Sequence, residues 1–202
     1  MSEFQLEMNR FSTKVSDFLR RITYRLARTD EQLTNVFKLR YDANLKEQTI
    51  LPNSSEILSD RFDETTNGFN VGVFLDGKLA AALRLHLLCP SYPDSPLVHA
   101  YPDLVKPRVE AGFRIVDITR LAADFAIARR EPYLAYATVR LSMLMCEHFE
   151  ADLILAAVRR EHIPFYRREF FATQLERVDI HRVQICALTI DSMDMNALGV
   201  CS

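Results

Sequence analysis

The stretch Ile115-Val116-Asp117-Ile118-Thr119-Arg120-Leu121-Ala122-Ala123-Asp124, IVDITRLAAD, decides how the chain is read. Ile115, Val116, Ile118, Leu121 and Ala122 describe a buried strand. An acid, a hydroxyl and a guanidinium interrupt it at Asp117, Thr119 and Arg120. Burying a charge is costly unless it is paired. These groups therefore either neutralise partners or serve a site.

Outward from this strand the pattern alternates between helix and strand. Upstream, FNVGVFLDGKLAAALRLHLL places two apolar runs around Asp76-Gly77, a pair suited to the positive φ values of a tight hairpin. A proline-rich connection, CPSYPDSPLVHAYPDLVKP, separates this hairpin from the strand and predicts a long irregular segment with one short helix. Further upstream, ITYRLAR (Ile22 to Arg28) reads as a strand. TDEQ follows, with Thr29 as N-cap and Gln32 three positions later, and predicts a capping-box helix to about Leu45. Phe4, Met8, Phe11, Val15 and Phe18 share one face of an amphipathic helix over residues 3–20. Its apolar face suits core packing, a lid, or a peripheral contact with a membrane or second chain. Downstream come a buried helix (Tyr133 to Glu150), a short strand (ADLILAAV), a short helix (HIPFYRREFF) and a strand (Gln184 to Asp191). The predicted fold is one α/β domain over residues 22–191, with a mixed sheet flanked by helices. Residues 1–21 form a helical extension and 192–202 a flexible tail.

Composition excludes several classes. The net charge of −2 and the absence of long like-charge runs argue against bulk electrostatic binding of nucleic acid. The four cysteines and five histidines fall at no metal-ligand spacing, which predicts reduced thiols and no metal site. No stretch approaches the ~20 apolar residues of a membrane span, and no leader is visible, so the expected location is the cytoplasm.

The polar residues in awkward places form a set: Arg40 in FKLRYD, Asp60 and Asp63 in the loop SDRFDE, Arg84 in AALRL, and Asp117, Thr119 and Arg120 in DITRLAAD. In this order, followed by REHIPFYRREFF, the set resembles the Gcn5-related N-acetyltransferase (GNAT) superfamily. More narrowly it resembles the acyl-homoserine-lactone synthases and the FeeM-type N-acyl amino acid synthases, with the C-terminal element closer to the latter. The chain differs from the lactone synthases in having no tryptophan, Asp117 where they carry Glu, and Thr119 where they carry Ser.

The resemblance implies a GNAT-like fold, mostly antiparallel, and an N-acyltransferase joining a fatty acyl group to the amine of an amino acid or similar small molecule. It makes Asp117, Thr119, Arg120 and Tyr166 the catalytic candidates. Asp117 would accept the amine proton and Tyr166 would protonate the leaving thiolate. Arg40, Asp60, Asp63 and Arg84 become the substrate-binding candidates, with the acids for an ammonium and the arginines for a carboxylate. The backbone of Leu121, Ala122 and Ala123 would face the thioester. Acetyltransferases cradle a coenzyme A diphosphate in a Gly-rich loop after this strand. ADFAIARREPYLAY has no glycine, which favours acyl carrier protein over acyl-coenzyme A as donor, with no tightly bound cofactor. Arg129-Arg130, Arg159-Arg160 and Arg167-Arg168 are the residues to steer an acidic carrier protein. The alternatives are a lactone synthase using S-adenosylmethionine, a coenzyme A-dependent small-acyl transferase, and a non-catalytic lipid-binding relative.

Overall fold

The computed structural model describes residues 3–170, 173–180 and 183–188. In chain order the elements are α1 (Glu3–Arg20), β1 (Ile22–Leu26), α2 (Asp30–Lys46), β2 (Gly68–Leu75), β3 (Lys78–Leu88), α3 (Pro96–Ala100) and α4 (Pro102–Glu110). Then follow β4 (Ile115–Ala123), α5 (Phe125–Arg130), α6 (Leu134–His148), β5 (Leu153–Arg159), α7 (Ile163–Phe170), β6 (Thr173–Ile180) and β7 (Val183–Leu188). The strands form one mixed sheet in the order β1-β2-β3-β4-β5-β7-β6. β1 pairs antiparallel to β2, β4 parallel to β5, and β5 and β6 each antiparallel to β7. This is the mixed α/β architecture expected from the element order. The flexible tail expected at 192–202 lies outside the described residues, as do residues 189–191 of the last predicted strand.

The chain divides into two compact units. The first comprises residues 1–63, 69–84 and 120–141. Here α2 begins as the sequence predicts. The Thr29 hydroxyl accepts from the Gln32 amide, and the Gln32 side chain accepts from the Thr29 amide. Thr29 thus satisfies a donor that every helix start leaves open. Val36, Arg40 and Tyr41 form the buried face of α2. The β2–β3 turn has Asp76 at φ +48° and Gly77 at φ +82°, the left-handed pair that a two-residue hairpin needs. Phe18, buried at the end of α1, packs its ring against Tyr133 at 6.0 Å.

The second unit comprises residues 64–68, 85–119 and 142–202. Its core gathers Leu88, Leu97, Val98, Tyr101, Val105, Val109, Ile115 and Leu155. The proline-rich connection holds two helices, α3 and α4, where one was expected. Pro96 and Pro102 both stand in the first turn of their helices, where the missing N–H is no loss. As composition alone they read as breakers. Two further elements, α5 and β6, were not expected. α5 has only six residues, too few for a periodic pattern, and the charged TQLERVDI of β6 dilutes its alternation. Among the described residues no helix is long and apolar enough to cross a membrane.

Thr29→Ala should lower stability by about 1 kcal/mol through loss of the cap. Urea denaturation of the two proteins measures it, and an unchanged midpoint would show that the capping box contributes nothing.

Candidate active site

Asp60 and Asp63 lie at either end of a 3-10 turn, Arg61–Asp63, in the first unit. The turn closes on itself, because the Asp60 amide donates to Asp63 Oδ2 (2.8 Å) and the Asp63 amide donates to the Asp60 carbonyl (2.9 Å). This exchange aims both carboxylates the same way, at arginines from three different elements.

Arg40, from α2, is fully buried and donates from Nη1 to Asp63 Oδ1 (2.7 Å) and from Nη2 to Asn70 Oδ1 (2.6 Å). Arg84, from β3, is also buried and its Nη1 reaches Asp60 Oδ1 (2.6 Å) and Asp63 Oδ1 (2.9 Å). Arg120, from β4, donates from Nε (3.1 Å) and Nη2 (2.5 Å) to Asp60 Oδ2. Asp60 Oδ1 also accepts from the Phe62 amide at 2.9 Å. All four substrate-binding candidates and Arg120 thus form a single network. The side chains of Arg40, Arg84 and Asp63 are at most 2 % exposed, whereas Asp60 is 26 % and Arg120 33 % exposed. The network therefore opens to solvent at the Asp60–Arg120 pair.

The electrostatics follow from this burial. Burial pulls the Arg40 guanidinium down to about 10, against the opposing pull of Asp63, which leaves it charged at neutral pH. Burial pushes the Asp60 carboxyl up, but hydrogen bonds from Arg84 and Arg120 outweigh it and hold it well below the usual carboxylate range. Asp60 is an anion at any physiological pH, suited to holding a cation and unsuited to accepting a proton.

Arg120 stands mid-strand at φ +54°, in the left-handed region. A non-glycine residue there costs on the order of 1–2 kcal/mol. The two bonds to Asp60 fix it. Beyond it, Leu121 is 39 % exposed, Ala122 is buried and Ala123 is half-buried. Among the described residues the β4–β5 register runs from Ile115↔Leu153 to Ile118↔Ala156, while β4 continues to Ala123. Thr119 is half-buried.

Asp117 and Tyr166 belong to the second unit. Asp117 is fully buried, and its Oδ2 accepts from the Leu97 amide at 3.2 Å. Tyr166, on α7, is buried with its ring edge-on to Phe165 (5.4 Å) and tilted against Phe170 (6.4 Å). Among the described residues no three His, Cys, Asp or Glu side chains gather as a metal site.

Two members of the network were missed. Asn70 is buried on β2 and bridges Arg40 to the Asp63 carbonyl, to which its Nδ2 donates at 3.1 Å. Its signal was present, since it is the one polar residue of GFNVGVFL. The Phe62 ring centroid is 4.4 Å from the Arg61 guanidinium and 5.8 Å from that of Arg84. Nothing in SDRFDE marks it apart from other loop aromatics.

Residues 35–190 match the family model described as N-acyl amino acid synthase FeeM. The chain belongs to this family and is an acyltransferase with a GNAT-like fold. Among solved structures it is similar to FeeM, an N-acyl amino acid synthase from uncultured soil microbes. The two are 14 % identical with a TM-score of 0.67, over 84 % of this chain and 91 % of that one. It is also similar to BjaI, a coenzyme A-dependent acyl-homoserine lactone synthase, with 16 % identity and a TM-score of 0.63, over 88 % and 86 % of the two chains. An acyl-CoA N-acyltransferase from Pseudomonas aeruginosa matches at 18 % identity and a TM-score of 0.56, over 83 % and 96 %. No curated protein sequence matches the chain.

Two stability measurements test the network. Asp63→Asn strips a charge from beside buried Arg40 and Arg84, and should cost about 3–5 kcal/mol by chemical denaturation. A loss under 1 kcal/mol would contradict the pairing. Asp60 has a folded-state pKa below its unfolded value of ~3.9. Its contribution is therefore complete above about pH 5 and is lost progressively as pH falls below that. Thermal midpoints between pH 5 and 3 should fall more steeply for the native protein than for Asp60→Asn. Parallel curves would show that Asp60 is unlinked to folding.

Proposed function

We propose that this acyltransferase transfers a fatty acyl group from an acyl carrier protein to the α-amine of an amino acid. The observation that carries the reading is the opening of the network, where one carboxylate and one guanidinium face solvent in contact with each other. That pair matches a zwitterion. Asp60 holds the ammonium and Arg120 the carboxylate, through its planar fork of donors. Buried Arg40, Arg84 and Asp63 hold both partners still, so little ordering is left to the moment of binding.

In the reaction, the acceptor ammonium gives one proton to solvent and the neutral amine attacks the thioester carbonyl, forming the C–N bond. The carbonyl oxygen becomes anionic. As the carbonyl re-forms the C–S bond breaks, the carrier leaves as a thiolate, and the second proton from nitrogen ends on that sulfur. Amides of Leu121 to Ala123, just past Arg120 on β4, are the donors proposed for that oxyanion. The strained Arg120 backbone, held by Asp60, ties the acceptor clamp to this stretch of strand.

The start of α5 favours a carrier protein as donor. The amide of its third residue, Ile127, donates to Asp124 Oδ1 at 2.8 Å. A carboxylate thus occupies the helix start that receives a coenzyme A diphosphate in acetyltransferases, and it repels a second anion. On the same short helix, exposed Phe125 lies within 5.0 Å of Lys46 and 5.7 Å of Arg129. An aromatic ringed by cations suits the surface of an acidic protein.

The test is a purified assay offering one long acyl chain on carrier protein or on coenzyme A, with a mixture of amino acids, read by mass spectrometry. N-acyl amino acids should form from the carrier-protein thioester and fall at least tenfold in a folded Arg120→Met variant. Acyl homoserine lactone formed with S-adenosylmethionine, with release of methylthioadenosine, would replace the acceptor reading. Turnover confined to the coenzyme A thioester would overturn the donor reading.

A further inference from the structure

The start of α3 is built in an unusual way. Ser95 occupies its N-cap position with extended backbone, yet its side chain makes no cap hydrogen bond. The Ser95 hydroxyl is fully buried and has no hydrogen-bond partner among the described residues. A serine at this position ordinarily turns back on the second or third amide of the helix. Here the second amide, on Leu97, is already taken by Asp117 Oδ2, which reaches across from β4 at 3.2 Å. Both residues are buried, Leu97 at 1 % exposure and Asp117 at 0 %.

The geometry points to Asp117 as a positioning residue: it caps α3 from outside the helix and fastens the β3–β4 connection to the strand that carries Arg120. The surroundings support this. Leu97, Val98 and Tyr101 of this segment pack in the core with Ile115, two residues before Asp117. Upstream, Asn67 Nδ2 holds the same connection by donating to the Leu87 (3.1 Å) and Asp94 (2.9 Å) carbonyls. Asp117 is the acidic member of this set of ties, and its Oδ2 is the acceptor that the buried Leu97 amide meets. The inference deepens the acyltransferase reading by removing Asp117 from proton transfer, and its structural half stands without it.

The test compares Asp117→Asn with Asp117→Ala. Asparagine keeps an oxygen that can accept from the Leu97 amide but cannot act as a base. Hydrogen exchange at residues 95–100 should match the native protein within threefold in Asp117→Asn and quicken at least tenfold in Asp117→Ala. In the carrier-protein assay, Asp117→Asn should keep kcat/KM within about threefold with an unaltered pH–rate profile, and Asp117→Ala should lose more. Native exchange in Asp117→Ala would overturn the cap. Loss of the acidic limb of the pH–rate profile in Asp117→Asn, or a hundredfold fall in kcat with native exchange, would overturn the positioning role and return Asp117 to proton transfer. A native protein inactive with every acceptor would sink the function proposed above, and the exchange data would still decide the cap.

Discussion

The arrangement of Asp60 and Asp63 under three arginines is the constraint on which the site depends. Such a network is a poor source of stability. Removing a guanidinium from water costs several kcal/mol, and apolar side chains of similar volume often do as well or better. Losing one member is nonetheless expensive, because it strands a buried charge. A network of this kind therefore fixes geometry. It sets the 3-10 turn against α2, β3 and β4, and it holds Arg120 in a backbone conformation that the residue would not choose alone.

Exposure divides the network into support and contact. Arg40, Arg84 and Asp63 are sealed from water, and Asn70 joins them from β2. Asp60 and Arg120 meet solvent. The acid at the opening is held ionised by its two arginine partners, so the pair presents fixed opposite charges. The same residue types in open loops would be mobile and screened, with little power to orient a ligand.

Much of this was legible in the sequence. Arg40, Arg84 and Arg120 stood out because charges in apolar segments demand partners, Asp60 and Asp63 were singled out by the resemblance, and the structure brings all five together. The hairpin at Asp76-Gly77 and the capping box at Thr29 were readable because turn and cap chemistry are local. Non-local facts were hidden. Which arginine would meet which aspartate depends on three-dimensional placement. The Leu97 amide on Asp117 joins residues that only the folded chain brings together. The positive φ at Arg120 has no sequence signal in a non-glycine residue. Pro96 and Pro102 misled because a proline in the first turn of a helix starts it, whereas one in the interior ordinarily kinks or breaks it.

The Asp60–Arg120 opening is proposed to read both charges of an amino acid. The most direct measurement offers the purified enzyme an amino acid together with the amine left by removing its carboxylate, and follows acylation of each by mass spectrometry. The account predicts that the amino acid is acylated at least a hundredfold more efficiently, with the preference collapsing in Arg120→Met. Equal acylation of both by the native enzyme would contradict it.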